Sequence, residues 1–244
     1  MTSPDSAGTG ANDTDVPVID QCLALMADGG YFVRREPGEG AQAEYWDAKK
    51  DPDGNLRDIE SERPQRVEDL RYIAEFVNAL PAGRVLDIGC GLGELLQQVD
   101  VRHEAYGLDT SPRSVEICRE KTRAEVLLGV LEGAFVEEGW FDAAVAHHVI
   151  EHVDEPVPFV REVFRLLKPG GAFILVDTIQ YGDEPGLDTL LENFPRGFHE
   201  PYYDSYCRAD LTALFDEASL RKCDETVAFL TKATLFERPR STIS

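Results

Sequence analysis

Apolar segments recur at regular intervals along the chain from residue 84 onward. Five short apolar runs predict β-strands at 84–88, 103–108, 124–128, 141–146 and 172–177. Between them, amphipathic segments predict helices at 92–98, 114–121 and 158–167. Strands that alternate with helices at this interval indicate βαβ units, so we expect an α/β fold with a doubly wound, mostly parallel sheet.

The last part of the chain breaks this alternation. A helix is predicted near 208–218, and two β-rich segments follow at 221–229 and 232–236. Because little sequence separates the two segments, they should form a hairpin, and the last strand should run antiparallel to the others. The expected architecture is therefore a Rossmann-like, seven-stranded sheet with a C-terminal antiparallel hairpin.

The N-terminal third differs in composition from the rest. Residues 1–15 are small, polar and acidic, and they predict a disordered tail. Residues 16–83 predict a helical cap that covers the site, with a periodic helix near 67–80. Residues 84–244 then form the main domain, in which 179–207 are expected to act as a lid.

The charge excludes several classes of partner. The chain has 46 acidic and 24 basic residues, and its formal net charge is -22. Such a surface repels nucleic acid and anionic membranes, so we expect a small-molecule partner and neither nucleic acid nor a membrane. The sequence leaves open whether the protein is a monomer or a homodimer. Adaptation to high salt is a second interpretation of this charge. No segment predicts a signal peptide or a membrane span, and the five dispersed cysteines indicate reduced thiols in the cytoplasm.

The strongest local motif is "RVLDIGCGLGELL" at 84–96. Gly89, Gly91 and Gly93 would let a ligand approach the backbone, with Cys90 among them. A dinucleotide loop has the spacing G-x-G-x-x-G, whereas this loop has G-x-G-x-G with Asp87 two residues ahead. Acidic residues suit a cationic ligand better than a pyrophosphate. S-adenosylmethionine, which carries an ammonium and a sulfonium group, fits this pattern.

A second acid, Asp109, ends the second predicted strand and is followed by Thr110. A carboxylate there accepts hydrogen bonds from both hydroxyls of a ribose in nucleotide-binding folds. The alternative is that Asp109 caps the next helix, a role that Ser111 would fill equally well.

Together with "FDAAVAHHVIEHV" and "RLLKPGGAFILVDT", these motifs resemble those of the class I S-adenosylmethionine-dependent methyltransferases. The resemblance implies that the three glycines approach the methionine part of the cofactor and that Asp109 holds the ribose. Many members have an Asp after the third strand that binds adenine, and this chain lacks it. Adenine recognition would then fall to the backbone of Val130 and Leu131, or to Glu132.

A narrower resemblance is to the ubiquinone-biosynthesis O-methyltransferases, through Tyr45-Trp46-Asp47 and Pro64-Gln65-Arg66. It implies that Arg66 pairs with the cofactor carboxylate, for which a guanidinium fork is suited. The alternative is that Arg66 only solvates the start of a helix.

Histidines and a glutamate follow the fourth predicted strand. His148, Glu151 and His152 would share one helical face, and the matching positions of the quinone enzymes bind magnesium. Because His148 replaces an oxygen ligand, magnesium is disfavoured, and we favour a metal-free site in which Glu151 and His152 brace the next helix. A softer metal held by these three residues is the alternative. His148 is the expected general base, His199 is the second candidate, and His147 is expected to pack on the cofactor.

Aromatic residues should wall the acceptor site. The candidates are Tyr45, Trp46, Phe198, Tyr202 and Tyr203. The sequence thus predicts a methyltransferase that uses S-adenosylmethionine and acts on a small molecule, at oxygen. Methylation at nitrogen or carbon of a small molecule or sugar is the alternative, and a non-catalytic protein that binds the cofactor is the third interpretation.

Overall fold

The computed structural model describes residues 64–135, 137–188, 191, 202–228 and 231–240. The predicted N-terminal tail and most of the predicted cap lie outside the described residues, and so does the middle of the predicted lid.

Seven strands form one sheet in the order β3-β2-β1-β4-β5-β7-β6. The strands are β1 (Arg84–Ile88), β2 (Glu104–Asp109), β3 (Glu125–Leu128), β4 (Phe141–His147), β5 (Leu167–Thr178), β6 (Arg221–Ala228) and β7 (Thr231–Glu237). The first five are parallel, whereas β7 runs antiparallel to both β5 and β6. The predicted sheet with a reversed C-terminal hairpin is therefore confirmed.

Helices cover both faces of this sheet. They are α1 (Pro64–Ala79), α2 (Pro112–Lys121), α3 (Pro156–Leu166), α4 (Tyr203–Tyr206) and α5 (Leu211–Glu217). Alternate residues of each central strand enter two separate cores: Val85 packs with α1 and α2, and its neighbour Leu86 packs with α3 and α5. Burial on both faces explains why the strands read as continuous apolar runs rather than alternating ones.

The predicted helix at 92–98 is a series of turns. Gly93 has a φ of 83°, outside the helical region, and the amide of Gln97 makes an i→i+4 bond to Gly93 at 2.9 Å. The side-chain amides of Gln97 and Gln98 also donate to backbone carbonyls four residues earlier. A short segment that begins with glycines in the left-handed conformation forms too few helical hydrogen bonds to offset the free-energy cost of helix nucleation.

The strand order places a crevice at one edge of the sheet. β2 and β3 lie on one side of β1, and β4 and β5 lie on its other side. The order in which the chain adds strands to the sheet therefore reverses next to β1. In open α/β sheets, ligands bind beyond the carboxyl ends of the strands at this point. In the described part of the chain, no helix combines the length and the apolar character that a bilayer span requires.

Candidate active site

The glycine loop leaves β1 in a conformation that requires glycine. Gly89, Gly91 and Gly93 have φ values of 70°, 52° and 83°. A Cβ atom on Gly89 would lie 2.5 Å from Cγ2 of Val149, so the loop packs closely against the segment after β4. The amides of Gly89 and Cys90 both donate to the carbonyl of Leu108, at 2.8 and 3.0 Å. These bonds fix the loop to the end of β2.

Asp109 connects three segments around the crevice. Its Oδ2 accepts a hydrogen bond from the Gly91 amide at 2.9 Å, and its Oδ1 accepts one from the Ser111 amide at 2.8 Å. The Ser111 side chain, not Asp109, caps α2 by accepting from the Ser114 amide. Each carboxylate oxygen has two acceptor sites, so the fixed carboxylate retains capacity for two further donors.

A cavity of about 790 Å³ opens between the ends of β1, β2, β3 and β4. Seven predicted site residues lie on its wall: Gly89, Asp109, Thr110, Val130, Leu131, Glu132 and His148. His152 and Val149 line it as well. The structure therefore brings together residues that are far apart in the sequence, from Gly89 to His152.

Other predicted residues lie elsewhere. Asp87 is buried within β1, and the Cys90 side chain contacts Cys118 rather than the cavity. His147 is 6% exposed, and its Nε2 lies 4.0 Å from Oδ2 of the buried Asp69. It therefore packs toward α1 rather than on the cavity wall, because it belongs to β4 and its side chain follows the alternation of the strand.

The predicted aromatic wall is described only in part. Tyr203 is 7% exposed and packs in the core, and Tyr202 packs against the same core. Neither lies on the cavity wall; the Tyr202 amide instead donates to the Glu151 carbonyl at 3.0 Å and joins α4 to the site. Tyr45, Trp46, Phe198 and His199 lie outside the described residues, as does the side chain of Arg66 in the first turn of α1.

His148 is held in a backbone conformation that is rare for a residue with a side chain. Its φ is 53°, in the left-handed region, and its amide donates to the Val176 carbonyl at 2.9 Å. Such strain costs about 1–3 kcal/mol and is concentrated at functional sites. The strained residue lies where β4 ends at the cavity, and a 3₁₀ turn (Ile150–His152) follows it.

Two buried carboxyl groups hold one nitrogen of this imidazole. Nδ1 of His148 lies 3.4 Å from Oε1 of Glu151 and 3.6 Å from Oδ1 of Asp177. The His148 side chain is 31% exposed, whereas those of Glu151 and Asp177 are 6% and 0% exposed. With Nδ1 engaged by the acids, Nε2 is the ring nitrogen left to meet a ligand.

The charges in this cluster are linked. Burial lowers the pKa of His148, but the interactions with Asp177 and Glu151 outweigh burial and raise this pKa to about 10. Burial raises the pKa of Glu151, yet contacts with Asp177 and His148 bring it down to about 2. Burial and the neighbouring Glu151 raise the pKa of Asp177 well above its ordinary value. At neutral pH these shifts favour an imidazolium at His148 and a carboxylate at Glu151.

Asp177 is the residue that sequence reasoning missed. It is the penultimate residue of β5, a strand adjacent to β4, so parallel pairing brings it beside His148. A charged residue at the end of an otherwise apolar strand, "AFILVDT", was the available signal.

The same cluster has the spacing of a cation site. One ligand atom each from His148, Glu151 and Asp177 lies within 4.8 Å of the other two. Asp177 thus takes the place that the sequence suggested for His152, whose side chain is 45% exposed and lies 4.0 Å from Glu151. The same three side chains can also act without a metal, as a cluster that transfers protons.

Comparison with known proteins identifies the family. A methyltransferase domain model matches residues 86–175. The ubiquinone biosynthesis O-methyltransferase of Xanthomonas campestris pv. campestris is 30% identical over 194 residues, which cover 74% of this chain and 77% of that protein. The chain belongs to the class I S-adenosylmethionine-dependent methyltransferases. The ubiquinone biosynthesis O-methyltransferase of Alkalilimnicola ehrlichii is 29% identical over 175 residues, which cover 66% of this chain and 68% of that protein.

Solved structures of other methyltransferases share the fold. An S-adenosylmethionine-dependent methyltransferase from Aquifex aeolicus matches with a TM-score of 0.56 and 18% identity, over 79% of this chain and 97% of that chain. The mitomycin 7-O-methyltransferase matches with a TM-score of 0.57 and 19% identity, over 80% and 60%.

S-adenosylmethionine is the cofactor of this methyltransferase, and the described residues fit it. Gly89 lies on the cavity wall, whereas Gly91 and Gly93 do not, and Asp109 on the same wall retains acceptor capacity for a pair of hydroxyls. The exposed Val130 and buried Leu131 offer an apolar wall at the end of β3. When bound, the cofactor supplies an electrophilic methyl group on a sulfonium.

Proposed function

We propose that this methyltransferase transfers the methyl group to an oxygen atom of a small molecule. The observation that carries the proposal is His148, which lies on the cavity wall in a strained conformation with Nδ1 engaged by two buried carboxyl groups. The names of the relatives at about 30% identity, which are O-methyltransferases, support oxygen as the acceptor atom. The formal charge of -22 favours a small molecule over a nucleic acid.

Transfer from a sulfonium is an in-line displacement, so the protein has to align the acceptor and remove its proton. In the proposed reaction, Nε2 of His148 takes the hydroxyl proton while Glu151 and Asp177 fix the ring. The pKa of about 10 makes the neutral imidazole a minor form at pH 7. Activity should therefore rise with pH up to that value. The proposal has two further parts. Arg66 binds the carboxylate of the cofactor, and the protein acts in the cytoplasm.

The test identifies the acceptor. The purified protein is incubated with S-adenosylmethionine labelled in the methyl group and with a panel of phenols, alcohols and amines, and a metabolite extract is assayed in parallel. We expect labelled methyl ethers, and their yield should fall by roughly 10²–10⁴-fold in His148→Ala. Labelled amines or C-methyl products would overturn the choice of oxygen. Cofactor binding without any labelled product would point to a non-catalytic binding protein.

We further propose that the cluster works without a metal. The protein should contain no stoichiometric metal by elemental analysis, and its activity should survive EDTA. Asp177→Asn is the matched control, because a bound ion would lose a ligand in this variant. One equivalent of zinc or manganese that is present in the wild type and reduced in Asp177→Asn would contradict the proposal.

A further inference from the structure

A pair of thiols lies directly behind the cofactor loop. Cys90 belongs to the loop, between two glycines, and Cys118 lies on the inner side of α2. The two sulfur atoms are 4.0 Å apart, and the residues are 4% and 0% exposed. The position of a Cβ on Gly93 would be 2.7 Å from Sγ of Cys118, so this sulfur also touches the loop backbone.

The environment of this pair differs from that of the other described cysteines. The Cys90 thiol donates to the Cys118 sulfur, and this hydrogen bond lowers the pKa of Cys118 to about 7, against the opposing effect of burial. Burial raises the pKa of Cys207 to about 12 and that of Cys223 to about 11. Thiolates are the forms that react with oxidants. The same hydrogen bond and burial raise the pKa of the Cys90 thiol, so Cys118 is the member of the pair that forms a thiolate more readily.

We propose that Cys90 and Cys118 form a reversible disulfide in response to peroxide, and that this bond weakens cofactor binding. Hydrogen peroxide first converts one thiol to a sulfenic acid and releases one water. The second thiol then displaces hydroxide, which leaves as water after taking the thiol proton. The two sulfurs together lose two electrons and two protons, and one peroxide is reduced to two waters. The inference concerns cofactor binding alone and does not depend on the acceptor.

Closing the pair requires the loop to move against the hydrogen bonds that hold it to Leu108 and Asp109. A disulfide needs about 2.05 Å between sulfurs, so the present separation must shrink by roughly 2 Å. Cys118 is fully buried in α2, whose packing resists displacement. The loop instead consists of turns around glycines. Pulling Cys90 toward α2 should draw the neighbouring Gly91 amide away from Asp109, to which it donates at 2.9 Å.

The cofactor cavity gives the oxidant a way in. Gly89, the neighbour of Cys90, lies on the cavity wall, so the cavity approaches the thiol pair to within the thickness of the loop. Peroxide is close to water in size, so a small transient opening of the loop would admit it. A bound cofactor covers the loop and should slow the oxidation.

The test uses the full-length protein before and after treatment with hydrogen peroxide. Trypsin should release residues 85–102 and 114–119 as one disulfide-linked pair, detected by mass spectrometry without reduction. Calorimetry with S-adenosylhomocysteine should show affinity that is weaker by roughly tenfold, as expected for one lost hydrogen bond to a charged group, and dithiothreitol should restore it. Prior addition of S-adenosylhomocysteine should reduce the yield of the linked peptide.

Two variants separate this disulfide from general oxidation. Cys118→Ser cannot form the bond, so its affinity should be the same before and after peroxide. Cys223→Ser, which removes a thiol far from the loop, should respond to peroxide as the wild type does. Absence of the linked peptide, or an equal peroxide-induced loss of affinity in Cys118→Ser, would overturn the proposal. Should Cys118→Ser fail to fold, two measurements on the wild type still decide the question: the formation of the linked peptide, and its lower yield when S-adenosylhomocysteine is added first.

Discussion

At the scale of single residues, Asp109 combines a structural and a binding role. Its two oxygens already accept from the amides of Gly91 and Ser111, and these bonds fix the carboxylate at the cavity wall. The orientation needed by a ribose is therefore set before the cofactor arrives. Preorganisation of this kind reduces the entropy that binding has to overcome.

Removal of this carboxylate should weaken cofactor binding. For Asp109→Ala we expect a loss of about 1.5–3 kcal/mol in the affinity for S-adenosylhomocysteine, because a charged acceptor is lost. Calorimetry measures the change. Ser111→Ala is the matched control: it removes the cap of α2, so it should cost about 1 kcal/mol of stability and leave the affinity intact. Equal affinities of Asp109→Ala and the wild type would refute the role of Asp109.

His148 should make the stability depend on pH. The pKa of His148 rises from 6.5 to about 10 on folding, so the charged ring stabilises the native state. This contribution is complete below pH 6.5 and is lost as the pH rises through about 10. We expect the wild type to exceed His148→Asn in free energy of unfolding by the largest margin near pH 6, and by a shrinking margin toward pH 10.

Urea denaturation of both proteins at several pH values measures this difference. Asparagine tolerates the left-handed backbone of position 148, so the substitution isolates the charge. Groups outside the cluster of His148, Glu151 and Asp177 titrate in both proteins and largely cancel in the comparison. A margin that stays constant between pH 6 and pH 10 would show that His148 does not carry the charge at this site.

At the scale of elements, local patterns predicted most of the fold and part of the site. The strands, the reversal of strand order next to β1 and the glycine loop depend on runs of neighbouring residues, so they were predictable from the sequence. The segment 92–98 was not, because its turns depend on glycine backbone angles and on side-chain amides that compete for carbonyls. Asp177 was missed since its partner His148 is on another strand, and only the pairing of β4 with β5 brings them together.

The glycine loop should be intolerant of a side chain at Gly89. An alanine there requires a left-handed backbone, which costs about 1–2 kcal/mol, and its Cβ would lie 2.5 Å from Cγ2 of Val149. Because Val149 lines the cavity, Gly89→Ala should lower both the melting temperature and the affinity for S-adenosylhomocysteine.

Gly182→Ala provides the control for backbone strain. Gly182 has a φ of 89°, no atom within 4 Å of its Cβ position among the atoms described, and no place on the cavity wall. We therefore expect a lower melting temperature with unchanged affinity. Full affinity in Gly89→Ala, measured by calorimetry on folded protein, would show that the loop does not hold the cofactor in this way.

At the scale of the whole molecule, the formal charge of -22 should oppose folding through self-repulsion. Salt screens this repulsion, since the Debye length falls from about 10 Å at 0.1 M to about 3 Å at 1 M. We expect the melting temperature at pH 7 to rise as sodium chloride is added across this range. At pH 5, close to the sequence pI of about 4.5, the net charge is small and the same salt should have little effect. A melting temperature at pH 7 that does not respond to salt would mean that the acidic groups are spread widely enough to be solvated without mutual repulsion.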